Sequence, residues 1–394
     1  SYGQALNDIA QLEQKLGIVK PHVSAYTDAK GQFSWVEFNN FWALTLTLMI
    51  GTASLPHILM RYFTTPNVRD ARTSVGWSIF FIFLLYFTAP AYAAFAKLEV
   101  YSNVIGQPIS ALPAWVQNWS QVGGLLTIKD GNNDGILQLS EFIINQDIIV
   151  LSMPEIAGLP YVVSGLVAAG GLAAALSTAD GLLLAIANAL SHDIYYKMLD
   201  PNAPTIRRLT VARVLLFFVA VIAAYLASTR PSDILAMVGW AFSLAMAGNF
   251  PALVLGIWWK RTTTAGAIAG MIAGFGICLF YLVTTRYFPQ AGVSYFGMSS
   301  LLNPETRQPL IDVARVMADA RWVADVPASA ANPMANRVGW FDLNNINCGL
   351  LGMPLGFLVM IVVSLVTKEP SKEMQALVDE IRKPRGRTVL EEKV

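Results

Sequence analysis

Gly165-Leu-Val-Ala-Ala-Gly-Gly-Leu-Ala-Ala-Ala-Leu-Ser-Thr-Ala-Asp-Gly181 lies inside an apolar run from Ile156 to Leu190, and its reading decides the rest of the chain. The run is long enough to cross a bilayer, which takes roughly 20 apolar residues. Yet it holds two hydroxyls and a carboxylate, Ser177, Thr178 and Asp180. Polar groups at that depth are costly and usually face a bundle interior or a wet path. At about 100° per residue, Ala174, Ser177, Thr178 and Gly181 share one helical face, with Asp180 at its margin. Small residues before them (Gly165, Ala169, Gly170, Ala173) let neighbouring helices come close. Two chemistries fit. The oxygens bind a small hard cation, with Asp180 a candidate proton or cation relay, or the hydroxyls bond back to carbonyls one turn earlier.

Hydrophobic residues make up 55% of the 394 and charged residues only 13%, against roughly 25% charged in soluble domains. Blocked into long runs, they describe an all-α polytopic membrane protein. A net charge of +1 carries no nucleic-acid signal. Cys278 and Cys348 fall in apolar spans, which suits packing. The chain opens on a polar segment without Met, which reads as the back part of a longer protein.

An amphipathic helix is expected over Gln4–Leu16 within an extracytoplasmic segment, 1–37, with Gly17 as its stop. About seven spans follow: Phe38–Tyr62, Val75–Ala96, Ile156–Leu190, Leu209–Ala227, Ile234–Trp259, Ala265–Thr284 and Cys348–Val366. They group as 38–96, 156–285 and 347–367, separated by long loops at 97–155 and 286–346 and ending in a tail, 368–394. The second loop carries an expected surface helix near Pro309–Val323. Arg61, Arg69, Arg72, Lys197, Arg207, Arg208, Lys260, Arg261 and the basic tail all lie opposite the long loops. The positive-inside rule then puts the chain's N-terminus outside and its C-terminus in the cytoplasm.

Two spans are punctuated. Gly51-Thr-Ala-Ser-Leu-Pro-His57 interrupts the first, where Pro56 removes a donor and Ser54 is placed to cap the half-helix beginning at Leu55. Gly248-Asn-Phe-Pro251 repeats the theme in the fifth, below Gly239 and Ser243. A half-helix N-terminus at mid-depth suits an anion, and discontinuous spans gathered there mark a secondary transporter's binding site. A plain kink, and a structural hydrogen bond for His57, are the alternatives.

The run Gly51-Thr-Ala-Ser-Leu-Pro-His-Ile-Leu-Met-Arg-Tyr-Phe63 resembles the sodium:solute symporter family, in particular its acetate/monocarboxylate permease branch. Ala174-Ala-Leu-Ser-Thr178, His192-Asp-Ile-Tyr195, Trp258-Trp-Lys-Arg-Thr262 and Gly266-Ala-Ile-Ala-Gly270 match it too. The resemblance implies a LeuT-like inverted-repeat fold, of which this chain holds the second repeat plus trailing helices. It also implies a bacterial inner-membrane protein. The function it implies is sodium-coupled symport of a small organic anion, with an amino-acid (proline-like) symporter or a transporter-like sensor as alternatives. By it, the Ala174 carbonyl and the Ser177 and Thr178 hydroxyls bind sodium. Thr52, Ser54, Pro56, Trp240 and Ser243 line the substrate pocket. The missing N-terminal transmembrane helices of the same protein complete both sites. Nothing arranges His22, His57 or His192 as a catalytic constellation.

Outside that resemblance stands Asp130-Gly-Asn-Asn-Asp-Gly-Ile-Leu-Gln-Leu-Ser-Glu141, which fits the calcium-loop pattern D-x-[DN]-x-[DN]-G-x₅-E at every position. Asp130, Asn132 and Asp134 offer side-chain oxygens, Ile136 its carbonyl, Gln138 the water-bridged place and Glu141 a bidentate carboxylate. A helix over Glu141–Val150 is expected after it, while Gly123 and Gly124 work against one over Gln121–Lys129 before it. A polar hairpin is the alternative.

Overall fold

Backbone in lipid must satisfy its own polar groups, and apolar runs of this length do so as helices. The computed structural model describes residues 1–17, 26, 32–122, 125–229, 232, 234–287 and 343–382. Among them, six helical stretches are long and apolar enough to span: Val68–Asn103, Tyr161–Leu199, Thr205–Ser228, Ile234–Trp258, Thr264–Thr285 and Asn345–Val366. The chain is an all-α polytopic membrane protein. The expected first span is helical but outside that set, as α2 (Trp35–Ser54), an extended Leu55, and the single turn α3 (Pro56–Leu59). The surface helix expected near Pro309–Val323 lies outside the described residues.

At the amino end, α1 (Tyr2–Lys15) stops before Gly17, whose φ of 72° a side chain resists. It packs on the long α4 (Val68–Asn103), where buried Glu13 pairs with Lys97. Residues 97–155 hold a small module of their own. Short α5 (Ala114–Ser120), antiparallel β1 (Leu126–Ile128) and β2 (Phe142–Ile144), and α6 (Ile149–Ile156) close over Val104, Trp115, Val116, Leu126 and Leu137. The helix expected over Glu141–Val150 is therefore β2 followed by a tight turn, and before the loop Leu126–Ile128 is β1, not helix. Gly158, at φ 66°, then sets the turn into α7 (Tyr161–Asn188), which starts later than the apolar run and continues as a π-helix, Ala189–Leu199.

The spans differ in how they pack. None of the residues of α8 (Thr205–Ser228) is buried, and every residue of α7 from Ala168 to Asp180 is exposed. The tight part of the bundle is α9 (Ile234–Gly248) with α10 (Phe250–Trp258), α11 (Thr264–Tyr287) and α12 (Gly349–Val366). Here glycines meet backbone. A methyl added at Gly274 would lie 2.2 Å from the Ala247 carbonyl oxygen and 2.9 Å from that of Gly352. One at Gly270 would lie 2.8 Å from the Gly356 oxygen, and one at Gly352 2.5 Å from that of Gly274. Apolar lipid gives no hydrophobic drive between helices, so contact this close is what holds them. By contrast, Gly165 and Gly170 of α7 have nothing within 4 Å of such a methyl. The close approach read from α7's small residues is found on α11 and α12 instead.

Candidate functional site

Pro56 breaks the α2–α3 span as its missing donor requires, with Pro at the first helical position of α3. Ser54 does not cap the half-helix. Its buried hydroxyl donates backward to the carbonyls of Ile50 (2.9 Å) and Gly51 (3.0 Å), and Leu55 occupies the cap position. Thr52 is exposed and spends its hydroxyl likewise on Leu48 O at 2.6 Å. Pro56 is exposed as well.

The expected second break is not an interruption. Asn249 N–H donates to Ala245 O (2.8 Å) and Leu253 N–H to Asn249 O (3.0 Å), so the helical ladder continues. Pro251 still withholds one donor, and the Ala247 carbonyl it leaves unmatched is the one Gly274 and Gly356 crowd. The Asn249 side chain reaches across to the first break and donates to the free Ser54 carbonyl at 3.2 Å. Gly51 packs beside it on the Phe242 backbone, where a methyl would lie 2.8 Å from the carbonyl oxygen. The two punctuated spans are thus joined directly, through a residue that the sequence marked only as part of a turn signal.

Trp240 and Ser243 are brought to the same bundle but face elsewhere. Trp240 Nε1 donates to Asn345 Oδ1 at 3.3 Å, and the Ser243 hydroxyl donates to Ile346 O. They hold an asparagine-rich turn, Asn345–Asn347, that enters α12. Asn344 N–H donates to Asn40 Oδ1 (2.7 Å), and Tyr281 OH to Leu343 O (2.6 Å), tying the same turn to α2 and α11. Three asparagines in four residues, with Asn40 in an apolar span, were the available signal.

On α7, Ala174, Ser177, Thr178 and Asp180 are exposed, and the Thr178 hydroxyl donates to the Ala174 carbonyl at 3.1 Å. This is the back-bonding arrangement. One turn on, α3 and the residues after it touch α7. The Arg61 guanidinium and His57 ring lie 3.4 and 3.9 Å from where a Gly181 methyl would stand. His57 Nδ1 is buried with no hydrogen-bond partner among the described residues.

In the 130–141 loop, Gly135 takes φ 71° and Asn133 φ 57°, closing the tight turn. The carboxylates fold inward onto the loop's own N–H groups. Asp130 Oδ2 accepts from Gly135 (3.1 Å), Asp134 Oδ1 from Ile136 (2.8 Å), and Glu141 from Gly131 (2.8 Å) and Gln138 (3.0 Å). The Ile136 N–H, with the Asn132 and Gln138 amides, holds the Asp134 carboxyl below the usual carboxylate range. Among the described residues no three His, Cys, Asp or Glu side chains converge as a metal-holding group, although Asp130 Oδ1 is buried without a partner.

The model of the sodium:solute symporter family matches residues 144–274, a stretch that contains α7, the second punctuated helix and half of α11. Over that stretch the chain is similar to sodium:solute symporter sequence. An uncharacterized symporter of Cupriavidus necator is 44% identical over 381 residues, 96% of this chain and 49% of that protein. The chain therefore spans about half the length of the relative it matches. The symporter match runs through Ala174, Ser177, Thr178, Trp240 and Ser243; Thr52, Ser54 and Pro56 fall before it.

Proposed function

We propose that this chain is the second half of a cation-coupled symporter that takes up a small organic solute, with sodium as the coupling ion and a monocarboxylate such as acetate as cargo. The observation that carries the reading is the symporter-family match across α7, whose exposed face holds Ala174, Ser177 and Thr178. Two hydroxyls and a carboxylate bared along a lipid-spanning helix are costly. Further helices of the full-length protein lie against that face and bring the remaining sodium ligands. Sodium binding redirects the Thr178 hydroxyl from the Ala174 carbonyl, so that both oxygens face the ion. Asp180 stands at the edge of this site. The substrate enters beside the α2–α3 break, between Thr52, Ser54 and Pro56, and Trp240 and Ser243 close it through the asparagine turn. The amino end of the chain faces outward and the tail lies in the cytoplasm. The test is uptake of labelled acetate and labelled proline by the full-length protein, with and without sodium. Sodium-stimulated acetate uptake is expected; sodium-stimulated proline uptake alone moves the cargo to amino acids, and no sodium effect removes the coupling ion.

We also assign the 130–141 loop a structural calcium ion, supported by the full ligand pattern and the buried, unpartnered Asp130 Oδ1. Asp130, Asn132, Asp134, Ile136, Gln138 and Glu141 would hold it. Extracellular loops of this type bind at about 10⁻⁴–10⁻³ M.

A further inference from the structure

After α12 ends at Val366, five residues lead to a last described helix, α13 (Lys372–Ile381), capped by Ser371, whose hydroxyl accepts Met374 N–H at 3.3 Å. At about 100° per residue its side chains sort into three sectors. Asp379 and Arg382 form the first and grip the end of α10. Lys260 Nζ pairs with Asp379 Oδ2 at 2.6 Å, Arg382 Nε donates to Ile257 O at 2.7 Å, and the Arg382 guanidinium lies over the Trp258 ring. Glu373 and Glu380 form the second, both exposed. Met374, Leu377, Val378 and Ile381 form the third, an apolar stripe at the i, i+3, i+4, i+7 spacing, each roughly 100–120° from the other two sectors. Met374, Leu377 and Ile381 are 52%, 47% and 60% exposed.

A helix pinned to the bundle by one side, charged on a second and bare and apolar on the third stands at a boundary of three media. The bundle end beside it is apolar and exposed as well, with Trp258 at 67% and Val366 at 78%. These residues close spans that cross the bilayer, so the stripe is continuous with a lipid-covered surface. We propose that α13 is an interfacial helix that lies in the plane of the membrane. Met374, Leu377, Val378 and Ile381 enter the acyl boundary, Glu373 and Glu380 face water, and Asp379 and Arg382 lock the helix to α10. The occupant of the stripe is the bilayer, because burying the apolar face of such a helix in the headgroup region is what favours the flat position.

The experiment is site-directed spin labelling of the full-length protein in phosphatidylcholine nanodiscs. Nitroxides are placed at Leu377→Cys, Ile381→Cys, Glu373→Cys and Glu380→Cys. The unsubstituted chain supplies the background from Cys278 and Cys348, which are buried. Power saturation compares collision with oxygen, which concentrates in lipid, against collision with a water-soluble nickel chelate. Positions 377 and 381 should favour oxygen several-fold over nickel, with the preference reversed at 373 and 380. Nickel access at 377 and 381 equal to that at 380 would show a wet stripe and overturn the proposal. Labels at 377 and 381 closed to both reagents would also overturn it, by placing protein, a second copy or another segment, on the stripe. If the 377 label unseats the helix, the milder pair at 374 and 381 gives the same reading.

Discussion

Substitution of Gly274 by alanine tests the glycine seam as the element holding the bundle together. The added methyl would sit 2.2 Å from the Ala247 carbonyl oxygen and 2.9 Å from that of Gly352. Both obstacles are backbone, on two different helices, so no side-chain rotation relieves them. Restoring ordinary contact requires α11 to move away by about 1 Å, which opens the seam at Gly270 and Gly352 too. Overpacking of this kind costs about 1–3 kcal/mol. Alanine returns about 1 kcal/mol through its better helix propensity. The net loss is then about 0–2 kcal/mol, a fall in midpoint of up to about 2–3 °C for a chain of this size. Gly276 is the control, two residues away on the same helix with nothing within 4 Å of its added methyl. There alanine should be neutral or stabilising. The assay is tryptophan fluorescence on heating in detergent, where buried Trp240 reports the seam. If Gly274→Ala melts at or above Gly276→Ala, the seam does not hold the helices together.

Asn249→Leu should lower the same melting midpoint by about 1 kcal/mol, because the Ser54 carbonyl loses its donor at 3.2 Å; an unchanged midpoint removes the link between the two helices. Thr178→Ala in the full-length protein should raise the sodium concentration for half-maximal uptake and leave the sodium-free melt unchanged, since the hydroxyl donates only within its own helix, to the Ala174 carbonyl. Protease resistance of residues 97–155 should rise at millimolar calcium and that rise should vanish in Glu141→Gln; isothermal titration without binding up to ~10 mM reduces the loop to a polar turn. The Asp134 carboxyl is depressed in the fold. Its stabilising effect is therefore complete above the ordinary carboxylate pKa and lost as pH falls through and below about 4. In chelator, acid should open the loop to pepsin, and Asp134→Asn should flatten that pH response.

The spans were legible because lipid leaves a backbone so few options, and Pro56 because a residue without a donor must interrupt its helix. Ser54 misled for a local reason. Its hydroxyl had two carbonyls within its own helix to choose from, and they outcompeted the amides of a half-helix one turn long. The strands beside the calcium-type loop are three residues each, too short for alternation to register. At Thr178 either outcome was open, since any helical threonine can bond one turn back. The asparagine turn was beyond reach for another reason. Asn344 meets Asn40 across 304 positions of sequence, and an amide carries no mark of which distant carbonyl or amide it will find. The glycines of α11 were visible, but only the neighbouring backbones turn them from permissive residues into obligatory ones.

The bond between the Asn249 amide and the Ser54 carbonyl has a mechanical side. Each proline leaves a weak joint in its own helix, and a weak joint alone bends on its own schedule. Here a single pin passes through both. Swinging the α2–α3 elbow drags the shoulder of α10 with it, or else shears a hydrogen bond held in part-buried surroundings. Two loose hinges so linked behave as one lever, and a tilt begun at either end of the lever is delivered at the other.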